Sequence, residues 1–143
     1  MSQKLKESGV NKTSAVDVSE LDERMRRALH AAAEKKAIDL TVLDLRGVAT
    51  FTDFFLITTG TNKRQVQAIS DEVVEQLKRR GARAARVEGY QTAEWILIDY
   101  GDFVFHVFDE KARRFFDLER LWRAARRMDV SAAQLQSSSL EEE

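Results

Sequence analysis

Between Trp95 and Phe108 the chain reads Trp-Ile-Leu-Ile-Asp-Tyr-Gly-Asp-Phe-Val-Phe-His-Val-Phe, two apolar runs around Gly101-Asp102. A two-residue turn of this kind between such runs is a strong short-range hairpin signal. It constrains the fold tightly because it also fixes a register. With Tyr100 opposite Phe103, Ile98 faces Phe105 and Ile96 faces Val107. Side chains alternate across a strand, so Ile96, Ile98, Tyr100, Phe103, Phe105 and Val107 share one face. That face is almost pure hydrocarbon and must be core. The other face carries Trp95, Leu97, Asp99, Val104, His106 and Phe108. An indole, a carboxylate and an imidazole among aliphatics are costly to bury together. Two readings are open for it. One is a second, partly buried face on which Asp99 and His106 bond each other across the diagonal. The other is a protein-binding surface anchored by Trp95, whose candidate partner-binding residues are Trp95, Leu97, Asp99, His106 and Phe108.

The rest of the chain supplies a sheet for this hairpin and helices to cover it. Ser19 stands as a helix N-cap, with Glu20, Asp22 and Glu23 in the first turn. Leu21, Met25, Ala28, Leu29 and Ala32 recur at helical spacing, and the helix runs to about Lys36. Residues 39–45 are aliphatic and β-branched and read as a strand. Residues 53–59 form a second strand, hydrophobic enough to be buried on both faces. Asn62 and Gln65 make a capping box for a long amphipathic helix striped by Val66, Ile69, Val73, Val74 and Leu77. Lys78, Arg79, Arg80 and then Gly81 agree on where it stops. Residues 83–88 are a weaker strand, and after the hairpin Asp117 caps a last helix turning Leu118, Leu121, Trp122 and Ala125 inward. The fold class is therefore α/β (α+β), a mixed five-stranded sheet covered by helices. The long helix is sized as a crossover between parallel neighbours, and the hairpin strands are antiparallel.

Composition sets the outer bounds. A chain of 143 residues, 43% hydrophobic and 33% charged, supports one domain with an exterior suited to water. The expected limits are a polar extension over 1–18, a folded domain over 19–128 and an acidic tail over 129–143. A net charge of -1 announces neither a nucleic-acid nor a membrane partner. The absence of cysteine removes disulfides, thiolate catalysis and cysteine-ligated metals. No apolar run reaches the ~18 residues of a membrane span, and the first residues lack the apolar core of a secretory signal. Glu7, with no arginine before Arg24, makes a poor mitochondrial transit peptide. The expected location is cytoplasmic.

Reactive groups are scarce. The two histidines, His30 and His106, lie far apart, and Asp99 with His106 would want a third metal ligand. No Gly-x-Ser-x-Gly elbow accompanies a serine. The segment Gly60-Thr-Asn-Lys-Arg-Gln65 joins a strand to a helix N-terminus and is suited to attract an anion. It lacks the second glycine and the Lys-Ser/Thr pair of a P-loop. An ordinary capped connection is the plainer reading; a nucleotidyl- or phosphoryl-transfer site at Gly60 is the enzymatic alternative. Lys111, Arg113, Arg114, Arg120, Arg123, Arg126 and Arg127 form a basic run suited to RNA phosphates, interleaved with Asp109, Glu110, Asp117 and Glu119. No metal and no cofactor are expected.

Several motifs taken together carry a family likeness. Asp53-Phe-Phe-Leu-Ile, Thr59-Gly60-Thr61, Arg64-Gln-Val66, Glu88-Gly89, residues 95–102, His106-Val-Phe108 and Leu118-Glu-x-Leu-Trp122 succeed one another in order and spacing. The chain from about Leu21 to Arg126 thereby resembles the ribosomal silencing factor, or Iojap-like, family. Asn62 stands where a serine is common, and Phe103 and Phe105 are bulkier than the usual aliphatics. The resemblance implies binding to the large ribosomal subunit through ribosomal protein L-fourteen. It implies steric block of subunit joining, and so lowered translation under nutrient limitation. It also implies a nucleotidyltransferase-like fold without the catalytic carboxylates, in keeping with the missing Asp-x-Asp pair after Gly60. Peripheral contact with ribosomal RNA and a homodimer off the ribosome are further expected associations.

Overall fold

Helix α1 (Glu23–Glu34) begins where the Asp22 carboxylate accepts the Met25 N–H at 3.0 Å, and it buries Met25, Ala28, Leu29 and Ala32 on one stripe. Helix α2 (Lys63–Arg79) is started by Asn62, whose side chain accepts the Gln65 N–H at 2.8 Å. Two shorter helices come later in the chain, α3 (Glu110–Phe116) and α4 (Leu118–Leu121). The computed structural model describes residues 16–131 together with 134 and 135. Most of the expected polar extension, up to residue 15, and the tail from residue 136 lie outside the described residues.

Six strands form one mixed sheet: β1 (Ile38–Asp44), β2 (Phe54–Gly60), β3 (Arg86–Glu88), β4 (Trp95–Asp99), β5 (Phe103–Asp109) and β6 (Arg126–Val130). Their spatial order is β3-β4-β5-β2-β1-β6. The β4–β5 hairpin has the register its turn dictates. Ile98 pairs with Phe105, Ile96 with Val107, and the Tyr100 N–H donates to the Phe103 carbonyl at 3.0 Å. All six residues of its hydrocarbon face lie in the larger core, beneath α1 and α2. The opposite face joins a second, smaller core with Leu43, Leu45, Phe55 and Ile57, only partly roofed by α3 and α4. One face of the sheet is thus sealed by two long helices and the other is left half open.

Several expectations need correction. The sheet has six strands, because residues 126–130 leave helical geometry and pair with β1. Only Met128 and Val130 of that strand are buried, while Arg127 and Asp129 point to water, as suits a charged edge. The parallel neighbour of β2 is β5, not the strand next in sequence after α2. Strand β3 is three residues long and exposed throughout, so it takes the sheet edge. Apolar β5 takes the centre instead.

The last helix is broken. The Asp109 side chain accepts the Ala112 N–H at 2.7 Å and starts α3. Asp117, at φ 47°, ends α3, and its side chain makes no capping bond to α4. Leu118 and Ala125 are buried, but Leu121 is 68% exposed. At the other end the expected N-cap Ser19 sits inside a 3-10 turn (Val18–Glu20) capped by Asp17, and Asp22 starts α1. The packed chain is wider than 19–128 at both ends. Val16 is buried, with its N–H on the Arg127 carbonyl at 3.3 Å, and β6 continues to Val130.

A charged clasp ties these ends to the sheet. Buried Asp44 accepts from Arg46 Nε at 2.9 Å and Arg126 Nη2 at 2.6 Å, and Glu20 accepts from both arginines. Burial alone would raise the Asp44 pKa. The two guanidiniums outweigh it and hold the group at about 2.

Candidate protein-docking site

The half-open face is built by alternation along two strands. β4 contributes Trp95, Leu97 and Asp99, and β5 contributes Val104, His106 and Phe108. Of the five candidate residues, Trp95, Leu97 and Asp99 are half-buried and reach the surface. His106 and Phe108 do not, being 2% and 0% exposed beneath their neighbours. Those two lie beneath the surface and pack under the residues that reach it.

That support is specific. The Trp95 indole N–H donates to His106 Nδ1 at 3.0 Å. An imidazole that accepts at Nδ1 carries its proton on Nε2. His106 Nε2 has no hydrogen-bond partner among the described residues, and the ring lies edge-on to Phe55 with centroids 4.4 Å apart. Burial, seconded by the Arg113 charge, pushes the His106 pKa down to about 3. At neutral pH this imidazole is an uncharged acceptor that orients the indole. Phe108 backs the same indole at 5.0 Å between centroids, and Phe116 of α3 flanks it at 4.6 Å.

Asp99 does not meet His106, so the diagonal pair is absent. Its carboxylate accepts the Gly101 N–H at 2.8 Å, tightening the hairpin turn, and lies 3.3 Å from Arg86 Nε. Three residues outside the five candidates extend the surface. Phe51 is 59% exposed and meets half-buried Trp122 edge-on at 5.8 Å. Phe116 is 44% exposed. The signal for them was present but weak: Phe51 and Phe116 are isolated aromatics in segments of no assigned structure, and Trp122 was placed on the inward face of the last helix. Trp95, Leu97, Phe116, Trp122 and Phe51 thus give the thinly roofed face an apolar rim with no reactive group on it. Clustered exposed apolar surface of this kind marks an interaction site more often than an accident of folding.

The Gly60 connection has a different character. The Thr61 N–H and hydroxyl both donate to Gln65 Oε1, at 2.6 and 2.9 Å, and Gln65 Nε2 donates to the Lys35 and Lys36 carbonyls at 3.0 Å each. The Asn62 cap is therefore present, with the return bond from Gln65 made to Thr61. A Cβ on Gly60 would lie 2.9 Å from Val66 Cγ2, so the glycine serves the close approach of α2 to β2. Among the described residues no group of three or more His, Cys, Asp or Glu gathers to hold a metal.

Comparison with known proteins places these features in a lineage. The sequence profile of the family described as "Ribosomal silencing factor during starvation" matches residues 18–143. The chain is 41% identical to the Ribosomal silencing factor RsfS of Halalkalibacterium halodurans, over 70% of this chain and 86% of that protein. It is 39% identical to its namesake in Bacillus subtilis, over 68% and 83% of the two chains. A crystal structure of a Chromobacterium violaceum protein superposes with a TM-score of 0.68 at 31% identity, covering 75% of this chain and 87% of that one.

Proposed function

The chain belongs to the ribosomal silencing factor family, and on that premise we propose that it docks on the large ribosomal subunit through ribosomal protein L-fourteen. Standing there, it blocks joining of the small subunit and represses translation when nutrients are short. The site of its action is the cytoplasm, where assembling ribosomes are met. Occlusion of this kind needs a persistent surface and no chemistry. The observation that carries the reading is the Trp95 indole. It is half-exposed on the open face of the sheet, yet fixed from below by His106 and from the sides by Phe108 and Phe116. An anchor aromatic held in one orientation loses little freedom on binding. Leu97 beside it widens the apolar contact. Asp99 at the turn offers a carboxylate edge already shaped by Gly101 and Arg86.

Trp95→Ala tests the reading. Truncating an interface anchor costs ~2 kcal/mol or more, roughly thirtyfold in affinity. The expected result is that loss for isolated L-fourteen and for large subunits, with subunit joining restored in sucrose gradients. Trp95→Phe keeps a ring in place and separates loss of the indole from loss of packing. If both variants melt like the wild type and bind L-fourteen undiminished, the docking face lies elsewhere.

A further inference from the structure

The basic run of the sequence separates in space into used and unused charges. Arg113 is committed to Glu119 at 2.6 Å and to the Thr59 and Thr41 hydroxyls. Arg126 is held in the Asp44 clasp, and Arg127 pairs with Asp129 at 3.1 Å. Arg114, Arg120 and Arg123 are exposed and form no ion pair among the described residues. These three guanidiniums line a shallow hollow of about 430 Å³ formed where α3 breaks into α4. The same hollow is lined by Phe115, Phe116 and Leu121, of which Phe115 is 78% exposed. The one carboxylate on its wall is Asp117, at the left-handed break between the two helices.

Phe115 thus presents a large aromatic ring almost wholly to water beside three arginines that make no ion pair among the described residues. Guanidiniums intermixed with an exposed ring match a ligand that carries an anion and a flat π-face in every repeat. Single-stranded RNA is such a ligand. Its phosphates take arginine, and its splayed bases stack on aromatics without need of sequence. An acidic protein segment would supply the charge but leave the ring unstacked. The hollow also adjoins the docking face, since Phe116 lines both and lies 4.6 Å from Trp95.

We infer that the α3–α4 hollow binds a single-stranded segment of large-subunit RNA, with a base on Phe115 and phosphates on Arg114, Arg120 and Arg123. The inference rests on the docking reading for its partner, the large subunit, and adds a second contact beside the first. Protein and RNA are then gripped by adjoining patches of one surface.

The test compares three probes: isolated L-fourteen, protein-free large-subunit RNA and intact large subunits. The variants are Phe115→Ala and the triple change Arg114→Ala, Arg120→Ala, Arg123→Ala, all at exposed positions. The expected result is about tenfold weaker binding of each variant to intact subunits and to free RNA, with unchanged affinity for L-fourteen. The triple variant should also flatten the slope of log affinity against log salt by about two. Equal losses on isolated L-fourteen would make the hollow a protein-binding patch and overturn the inference. So would undiminished binding to all three probes. If Phe115→Ala weakens subunit binding while Trp95→Ala does not, the docking reading falls and the RNA contact stands.

Discussion

The imidazole of His106 shows how far residue type alone carries and where it stops. Alternation put His106 and Trp95 on the same face, correctly, but alternation says nothing about what lies above that face. The structure places Phe55 against His106 and the α3 residue Arg113 close enough to disfavour its charge, so a residue read as a contact is a buried support. The consequence is a stability that depends on pH. The folded pKa is about 3 against 6.5 for the free group. Below about pH 6.5 the unfolded chain takes up a proton that the folded chain refuses. The contribution of His106 is therefore complete above that pH and is lost, by about 1.4 kcal/mol per unit, as pH drops toward the folded value. His106→Asn keeps an acceptor oxygen at the Nδ1 position for the Trp95 N–H and removes the titration. Urea melts at pH 7.5, 6.0 and 5.0 should show a flatter dependence in this variant than in the wild type. Parallel dependences in the two proteins would place the proton uptake at other groups.

At the scale of elements, legibility depends on how much of the information is local. The hairpin was readable to the residue because turn chemistry and two apolar runs are all it needs. β6 was not, since only Met128 and Val130 face the core and the preceding Ala124-Ala125 favours helix. The break at Asp117 was hidden for a similar reason: a left-handed residue there is imposed by the packing of Leu118 and Ala112, not by glycine. Loop lengths could not reveal that β2 pairs with β5, because the choice of centre depends on the competition between β3 and β5 for burial. Gly89 marks the one turn where local need and site geometry meet. It has φ of +85°, and a Cβ there would lie 2.1 Å from the Trp95 carbonyl oxygen. Gly89→Ala combines left-handed strain with a backbone collision, an expected loss of about 2 kcal/mol or more. Because the collision falls on the first residue of β4, L-fourteen binding should weaken along with thermal stability. Gly81→Ala is the control: φ is +87° there, but nothing lies within 4 Å of the added methyl. Equal melting temperatures for the two variants would refute the collision.

For the whole molecule the governing fact is unequal cover. Two long helices seal one face of the sheet, and two short ones leave the other open around Trp95. A fold of this outline is compatible with catalysis when carboxylates stand at a strand end to hold metal against phosphates. Here the strand end at Gly60 leads into Thr61, Asn62, Lys63 and Arg64. Thr61 and Asn62 are bonded to Gln65, and Lys63 and Arg64 attract an anion without offering a ligand to magnesium. Asp53 precedes the other end of β2, about 20 Å away at strand rise. Transfer chemistry needs charge neutralised at the phosphates and a nucleophile positioned against them, and these side chains meet only part of the first need. The expected outcome is no magnesium-dependent turnover of any nucleoside triphosphate by the purified protein. Chelator-treated protein, added to ribosomal subunits in their usual magnesium buffer, should block joining as well as untreated protein does. Lys63→Ala and Arg64→Ala should leave that block unchanged, because both lie on the connection that α2 and Gln65 lock in place rather than on the open face. Turnover that either substitution abolishes would make the Gly60 connection an active site and reduce occlusion by the Trp95 face to a secondary property.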